Sequence, residues 1–150
     1  MIHVATDGVE STGFELEVIG QLSDVWKLSA GYSQFKAEDA LGTEVNTDHP
    51  RKKLNIFTTY NMSQSVAGLE IGGGFSWEGS QYSGIGAKKL TQNAFTLVDL
   101  MARYQVSEQF SMQLNINNLF DKIYFSQIGF FEQYGYGSPR NVSVGLTYSF

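Results

Sequence analysis

Cysteine is absent from this 150-residue chain, so neither a disulfide framework nor a thiolate metal site can hold it together. Proline is nearly absent, with two residues, and both precede arginine, at Pro50-Arg51 and Pro139-Arg140. Histidine is limited to His3 and His49, far apart in polar stretches, which reads as solvated side chains rather than a metal centre or a general base. Positive charge is in the minority. Ten Lys and Arg against fifteen Asp and Glu leave a formal net charge of −5, which argues against nonspecific nucleic-acid binding. No run of about 18 apolar residues occurs, so no transmembrane helix is expected. That absence leaves a membrane β-barrel open, because alternating strands average out in any hydropathy window. The first seven residues, 1–7, lack the basic and long apolar regions of a signal peptide. The expectation is therefore a chain that is not secreted, or the C-terminal part of something longer.

What the chain has in quantity is glycine, aromatics and alternation. From Arg140 the even positions Val142, Val144, Leu146, Tyr148 and Phe150 are apolar. The odd positions Asn141, Ser143, Gly145, Thr147 and Ser149 are small and polar. A period of two is the mark of a strand with a different environment on each face. Six more segments alternate in the same way, at about 12–22, 26–33, 50–61, 69–78, 97–105 and 110–117. Between them the connections run short, long, short, long, short, long. The long ones cover 36–49, 79–93 and 119–138. This is the signature of an antiparallel up-and-down meander of about seven strands, with its tight turns on one side.

Two features favour a membrane barrel over a soluble sandwich. Aromatics mark the short-turn ends of the apolar face, at Trp26, Tyr60, Tyr104, Phe110, Tyr148 and Phe150. A looser set, Phe14, Tyr32, Phe75 and Trp77, lies near the long-loop ends. Amphipathic rings prefer the headgroup level and aliphatics the hydrocarbon between. The polar face is mostly Gly, Ser, Asn, Gln and Thr, too poor in charge for an ordinary soluble exterior. A strand count of seven leaves two open edges, which lipid does not tolerate, and bacterial single-chain barrels use even numbers. The chain therefore reads as an arc cut from a larger barrel.

No catalytic constellation emerges. Glu15 and Glu17 share a face, as do Glu70 and Glu78, but paired carboxylates on a polar barrel wall are an ordinary feature. Gly72-Gly73-Gly74 has no helix or Lys-Ser/Thr behind it and reads as close packing or a bend, not a phosphate loop. The acidic loop 38–48 lacks the ligand spacing of a calcium loop. Neither an enzyme nor a resident cofactor is expected. The best ligand candidates are the aromatics of the third long loop, Tyr124, Phe125, Phe130, Phe131, Tyr134 and Tyr136, because large rings in an exposed loop cost free energy unless they pack or bind. Tyr82 in the second long loop is a weaker one. Asn118 and Asp121 are expected to organise a turn or bulge through side-chain to backbone hydrogen bonds.

Four stretches together resemble the C-terminal barrel of TonB-dependent ferric-siderophore receptors. Residues 8–17, GVESTGFELE, are similar to that family's G-E-x-x-S-x-G-x-E-x-E segment, with Val9 inserted before the first glutamate. Residues 26–33, WKLSAGYS, look like its following strand. Asn117-Asn118-Leu119-Phe120-Asp121-Lys122-Ile123-Tyr124 matches N-N-L-F-D-K-x-Y, and Tyr136-Gly137-Ser138-Pro139-Arg140-Asn141 matches Y-G-x-P-R-N. The last strand also resembles the assembly signal of outer-membrane barrels at Ser143, Gly145, Tyr148 and Phe150. The resemblance implies an arc of a 22-stranded transmembrane barrel in the bacterial outer membrane, with the plug domain and earlier strands outside residues 1–150. It implies a ferric siderophore as ligand, with iron held by the siderophore and by no protein atom. It also implies contact with outer-membrane lipid, with the barrel assembly machinery through the terminal signal, and with the TonB complex through the missing N-terminal region. The alternatives are a small structural or adhesive outer-membrane barrel that transports nothing, and a soluble small-molecule-binding β-barrel.

Overall fold

The computed structural model of the chain describes residues 8–84, 86–129 and 133–150, so His3, Phe130 and Phe131 lie outside the described residues. The seven expected strands are present: β1 (Glu10–Ser23), β2 (Trp26–Glu38), β3 (Lys52–Asn61), β4 (Leu69–Glu78), β7 (Phe95–Gln105), β8 (Phe110–Asn117) and β11 (Asn141–Tyr148). They form one antiparallel sheet in the order β1-β2-β3-β4-β7-β8-β11, so every connection joins neighbours. Two small hairpins stand in the long connections, β5 (Gln81–Ser83) with β6 (Leu90–Gln92), and β9 (Phe125–Ile128) with β10 (Tyr134–Tyr136). Neither is visible in the alternation, because strands this short span too few residues to show a period. The second strand also runs further into the polar stretch than expected. Glu10 pairs with Glu38 at its far end, so the partner strand carries polar residues that alternation alone assigns to a loop.

Register makes each face continuous, since directly paired residues point to the same side. One row across the sheet reads Trp26, Tyr60, Ile71, Ala102, Leu114, Val144. The next reads Leu28, Thr58, Gly73, Leu100, Ile116, Val142. The opposite face carries Glu17, Gly31, Asn55, Ser76 and Leu97 in one row. The apolar face is bare: Val144, Leu146 and Leu114 are exposed, and Ile116 is half-buried. Among the described residues β1 pairs only with β2, and β11 only with β8, so both edges are open. A soluble sheet buries its apolar face against a second layer. Here the buried side chains gather elsewhere: Ala37, Phe95, Ile128, Gln81, Gln92 and Asn118 sit at the long-loop end, and Ser111 alone near a short turn.

Close approach explains Gly72 within the Gly72-Gly73-Gly74 run. A Cβ on Gly72 would lie 2.9 Å from the Thr58 carbonyl oxygen of β3, which the backbone cannot accommodate without shifting.

Candidate functional site

The three long connections leave the same end of the sheet and pack on one another. Tyr82 N–H donates to the Thr47 carbonyl at 2.8 Å, joining the second connection to the first. Phe125 N–H donates to Gln92 Oε1 at 2.8 Å, joining the third to the second. The Tyr124 ring stacks on Phe95 at 4.6 Å between centroids. Ile128, 1% exposed, is the largest fully buried side chain among the described residues and pairs with Tyr134 within the β9–β10 hairpin.

Asn118 governs how the third connection begins. It adopts φ 51°, a left-handed conformation that Asn tolerates better than most residues. Its side chain accepts from Lys122 N–H at 2.8 Å and donates to the carbonyls of Lys122 at 2.9 Å and Ser138 at 3.0 Å. Its own N–H donates to Asp99 Oδ1 at 2.8 Å on β7. Asp121, also left-handed at φ 53°, accepts from Arg140 N–H at 2.9 Å. Gly137 lies against the face of Tyr124, where any side chain would fall inside the ring. The NNLFDK and YGSPRN segments are therefore two halves of one clasp at the base of the β9–β10 hairpin, in which Asn118 and Asp121 bond to backbone as expected, though Asp121 reaches across to Arg140 rather than within a local turn.

Both arginines of the Pro-Arg pairs tie loops back as well. Arg51 donates to the Val45 carbonyl and lies 4.9 Å above the Phe35 ring, and Arg140 reaches the Leu119 carbonyl at 3.4 Å. The acidic loop spends a carboxylate on its own turn: Asp39 Oδ1 accepts from Leu41 and Thr43 N–H, each at 2.9 Å.

The candidate aromatics divide into two groups. Tyr124 is committed to Phe95 and Gly137. Tyr82 is committed to its own hairpin, with Lys89 Nζ 3.7 Å above the ring and its hydroxyl 3.3 Å from Glu44. Tyr134 and Tyr136, by contrast, are 55% and 65% exposed. Each lies 5.0 Å from the Phe125 ring, and the two are 6.0 Å apart edge to face, so three rings form one aromatic cluster on the hairpin. Beside this hairpin a cavity of about 530 Å³ is lined by Asp48, His49, Lys53, Glu78, Gln81, Ser126 and Gln127. Within it Lys53 pairs with Glu78 at 3.2 Å, and His49 Nδ1 lies 3.0 Å from Asp48 Oδ1. Gln81 is 5% exposed. This polar recess draws residues from all three connections, so no local motif announces it. The alternation of β3 and β4 places only Lys53 and Glu78 on the polar face.

At the opposite end, Tyr148 and Phe150 are on the apolar face with rings 6.3 Å apart, while Ser143 and Gly145 are on the polar face.

The family model described as TonB dependent receptor-like, beta-barrel matches residues 2–119. The ferric-pyoverdine BN7/BN8 receptor of Pseudomonas putida is 39% identical over 152 residues, covering 99% of this chain. The ferripyoverdine receptor of Pseudomonas aeruginosa is 35% identical over 147 residues, covering 94% of this chain. The chain spans 18% of the length of each of these receptors. Among solved structures, P. aeruginosa FpvA bound to heterologous pyoverdines superposes with a TM-score of 0.89 and 34% identity, over 95% of this chain and 20% of that one.

Proposed function

Because the chain belongs to the TonB-dependent receptor β-barrel family, we propose that it forms the C-terminal arc of an outer-membrane receptor that takes up ferric siderophores. The apolar face meets lipid and the polar face lines the lumen. The short turns point to the periplasm and the long connections to the outside, as in other outer-membrane barrels. The open edges are completed by earlier strands of a 22-stranded wall, and a plug domain fills the lumen. Uptake is driven by the TonB complex acting through the N-terminal region. The role is binding and passage, with no chemistry on the ligand and with iron held by the siderophore alone. Ser143, Gly145, Tyr148 and Phe150 serve as the signal read by the barrel assembly machinery.

The observation that carries the ligand assignment is the aromatic cluster on the β9–β10 hairpin. Tyr134 and Tyr136 are held out at the outer mouth by a clasped hairpin, although large exposed rings are costly without a partner. A siderophore is a bulky chelate with apolar and hydrogen-bonding edges, which tyrosines meet on both counts. Phe130 and Phe131 belong to the same proposed surface. The test is the full-length receptor carrying Tyr134→Ala with Tyr136→Ala. Burying one such ring is worth about 1.5–3 kcal/mol, so affinity for the ferric siderophore falls by tens-fold or more at normal surface expression. Unchanged affinity would reduce the cluster to packing.

A further inference from the structure

A groove of about 500 Å³ crosses the apolar face near the short-turn end of the sheet. Its floor is Thr58, Gly73 and the backbone of Gly72, and its walls are Trp26, Tyr60, Ile71 and Leu100. Register creates it. Thr58 and Gly73 are direct partners, with Leu28 and Leu100 at either end of their row. The row below carries Trp26, Tyr60 and Ile71, and the row above Ile56 and Phe75. Two small residues side by side between rows of large ones leave a trench. Its four strands, β2, β3, β4 and β7, are all paired on both sides, so its shape does not depend on the open edges.

The trench presents almost no hydrogen-bonding capacity. Trp26 Nε1–H donates to Thr58 Oγ1 at 2.6 Å, and the Thr58 hydroxyl donates to the Lys27 carbonyl at 2.8 Å. Indole and hydroxyl therefore satisfy each other within the protein. The Tyr60 hydroxyl forms no hydrogen bond among the described residues, and it stands at the short-turn rim. A polar metabolite would lose its water here for no return. A chain of methylenes with an ester or headgroup at the rim fits. An unfilled trench would forfeit dispersion contacts along its whole lining. Trp26 and Tyr60 also mark the headgroup level at which such a chain would enter.

The geometry points to a seat for one acyl chain of a phospholipid from the periplasmic leaflet. This rests on the apolar face meeting lipid, as proposed above. For the test, the full-length receptor is reconstituted in phosphatidylethanolamine–phosphatidylglycerol vesicles. They are doped with phosphatidylethanolamine carrying a mid-chain diazirine, and photo-adducts are mapped by mass spectrometry. Adducts are expected to concentrate on Trp26, Ile71 and Leu100 over the flatter Val142 and Val144. Gly73→Leu fills the floor and should abolish the trench adducts while leaving those at Val144. A Cβ at Gly73 meets the Asp99 carbonyl oxygen at 3.2 Å, so Leu100→Phe, which closes the trench from its wall, guards against failed insertion. Adducts spread evenly over the face, or unchanged in both variants, overturn the seat but leave the membrane face standing. Absence of adducts from the whole face overturns both. A receptor dimer that Gly73→Leu disperses makes a second copy the occupant and overturns the lipid.

Discussion

Asn118 shows how one side chain can decide the course of twenty others. It is 4% exposed, and its amide makes three hydrogen bonds, two with the Lys122 backbone and one to the Ser138 carbonyl that joins the start of the third connection to its end. Replacing it with Ala orphans buried backbone groups, at about 1–3 kcal/mol for such a group, and puts a less tolerant residue at positive φ. Chemical unfolding of the full-length receptor in micelles should show a loss of roughly 2–3 kcal/mol or more for Asn118→Ala. Asn118→Gly should recover only the part due to backbone strain. This role is legible in the sequence, because Asn and Asp before a turn advertise their bonds to the backbone. The partners of Arg51 are not, because Val45 and Phe35 come within reach only once β2 and β3 are paired.

At the scale of elements, the alternation reveals the seven long strands because each has two different environments over eight or more residues. It does not reveal β5, β6, β9 and β10, whose packing is decided by contacts between connections. One of them, β9, carries the fully buried Ile128, one residue of a four-residue strand, and nothing nearby in sequence marks it as a core position. Ile128→Ala should cost about 2–5 kcal/mol locally and loosen the hairpins together. Hydrogen exchange on the full-length receptor should then quicken at Tyr82 and Phe125, whose N–H groups bridge the connections, while β8 and β11 keep their protection. Faster exchange confined to β9–β10 would show that the connections move independently. The same reasoning explains the split among the candidate aromatics. Sequence lists rings without saying which are spent on packing, as Tyr124 is on Phe95, and which are left outward, as Tyr134 and Tyr136 are.

At the scale of the whole molecule, the two faces make opposite demands on a charge. Leu114→Arg or Leu146→Arg in the full-length receptor should cost about 2–4 kcal/mol at mid-bilayer depth. Ser143→Arg, one strand position from both Val142 and Val144 but on the polar face, should cost clearly less. Refolding titrations into lipid vesicles read the difference, and equal costs on both faces would argue for a soluble barrel. The strand count has a further consequence that lies in direction. In a meander each strand reverses the one before, so the first and seventh, β1 and β11, run the same way. Joining those two edges would put a parallel seam into an otherwise antiparallel wall. A second copy placed with its long connections on the same side of the membrane meets the same parallel seam. Turning that copy over to make the seam antiparallel would send its long connections to the opposite side. An odd arc thus closes alone, or with an equally oriented twin, only through a parallel seam. An all-antiparallel wall takes an odd number of further strands, which bring an edge of the right polarity to β1 and another to β11.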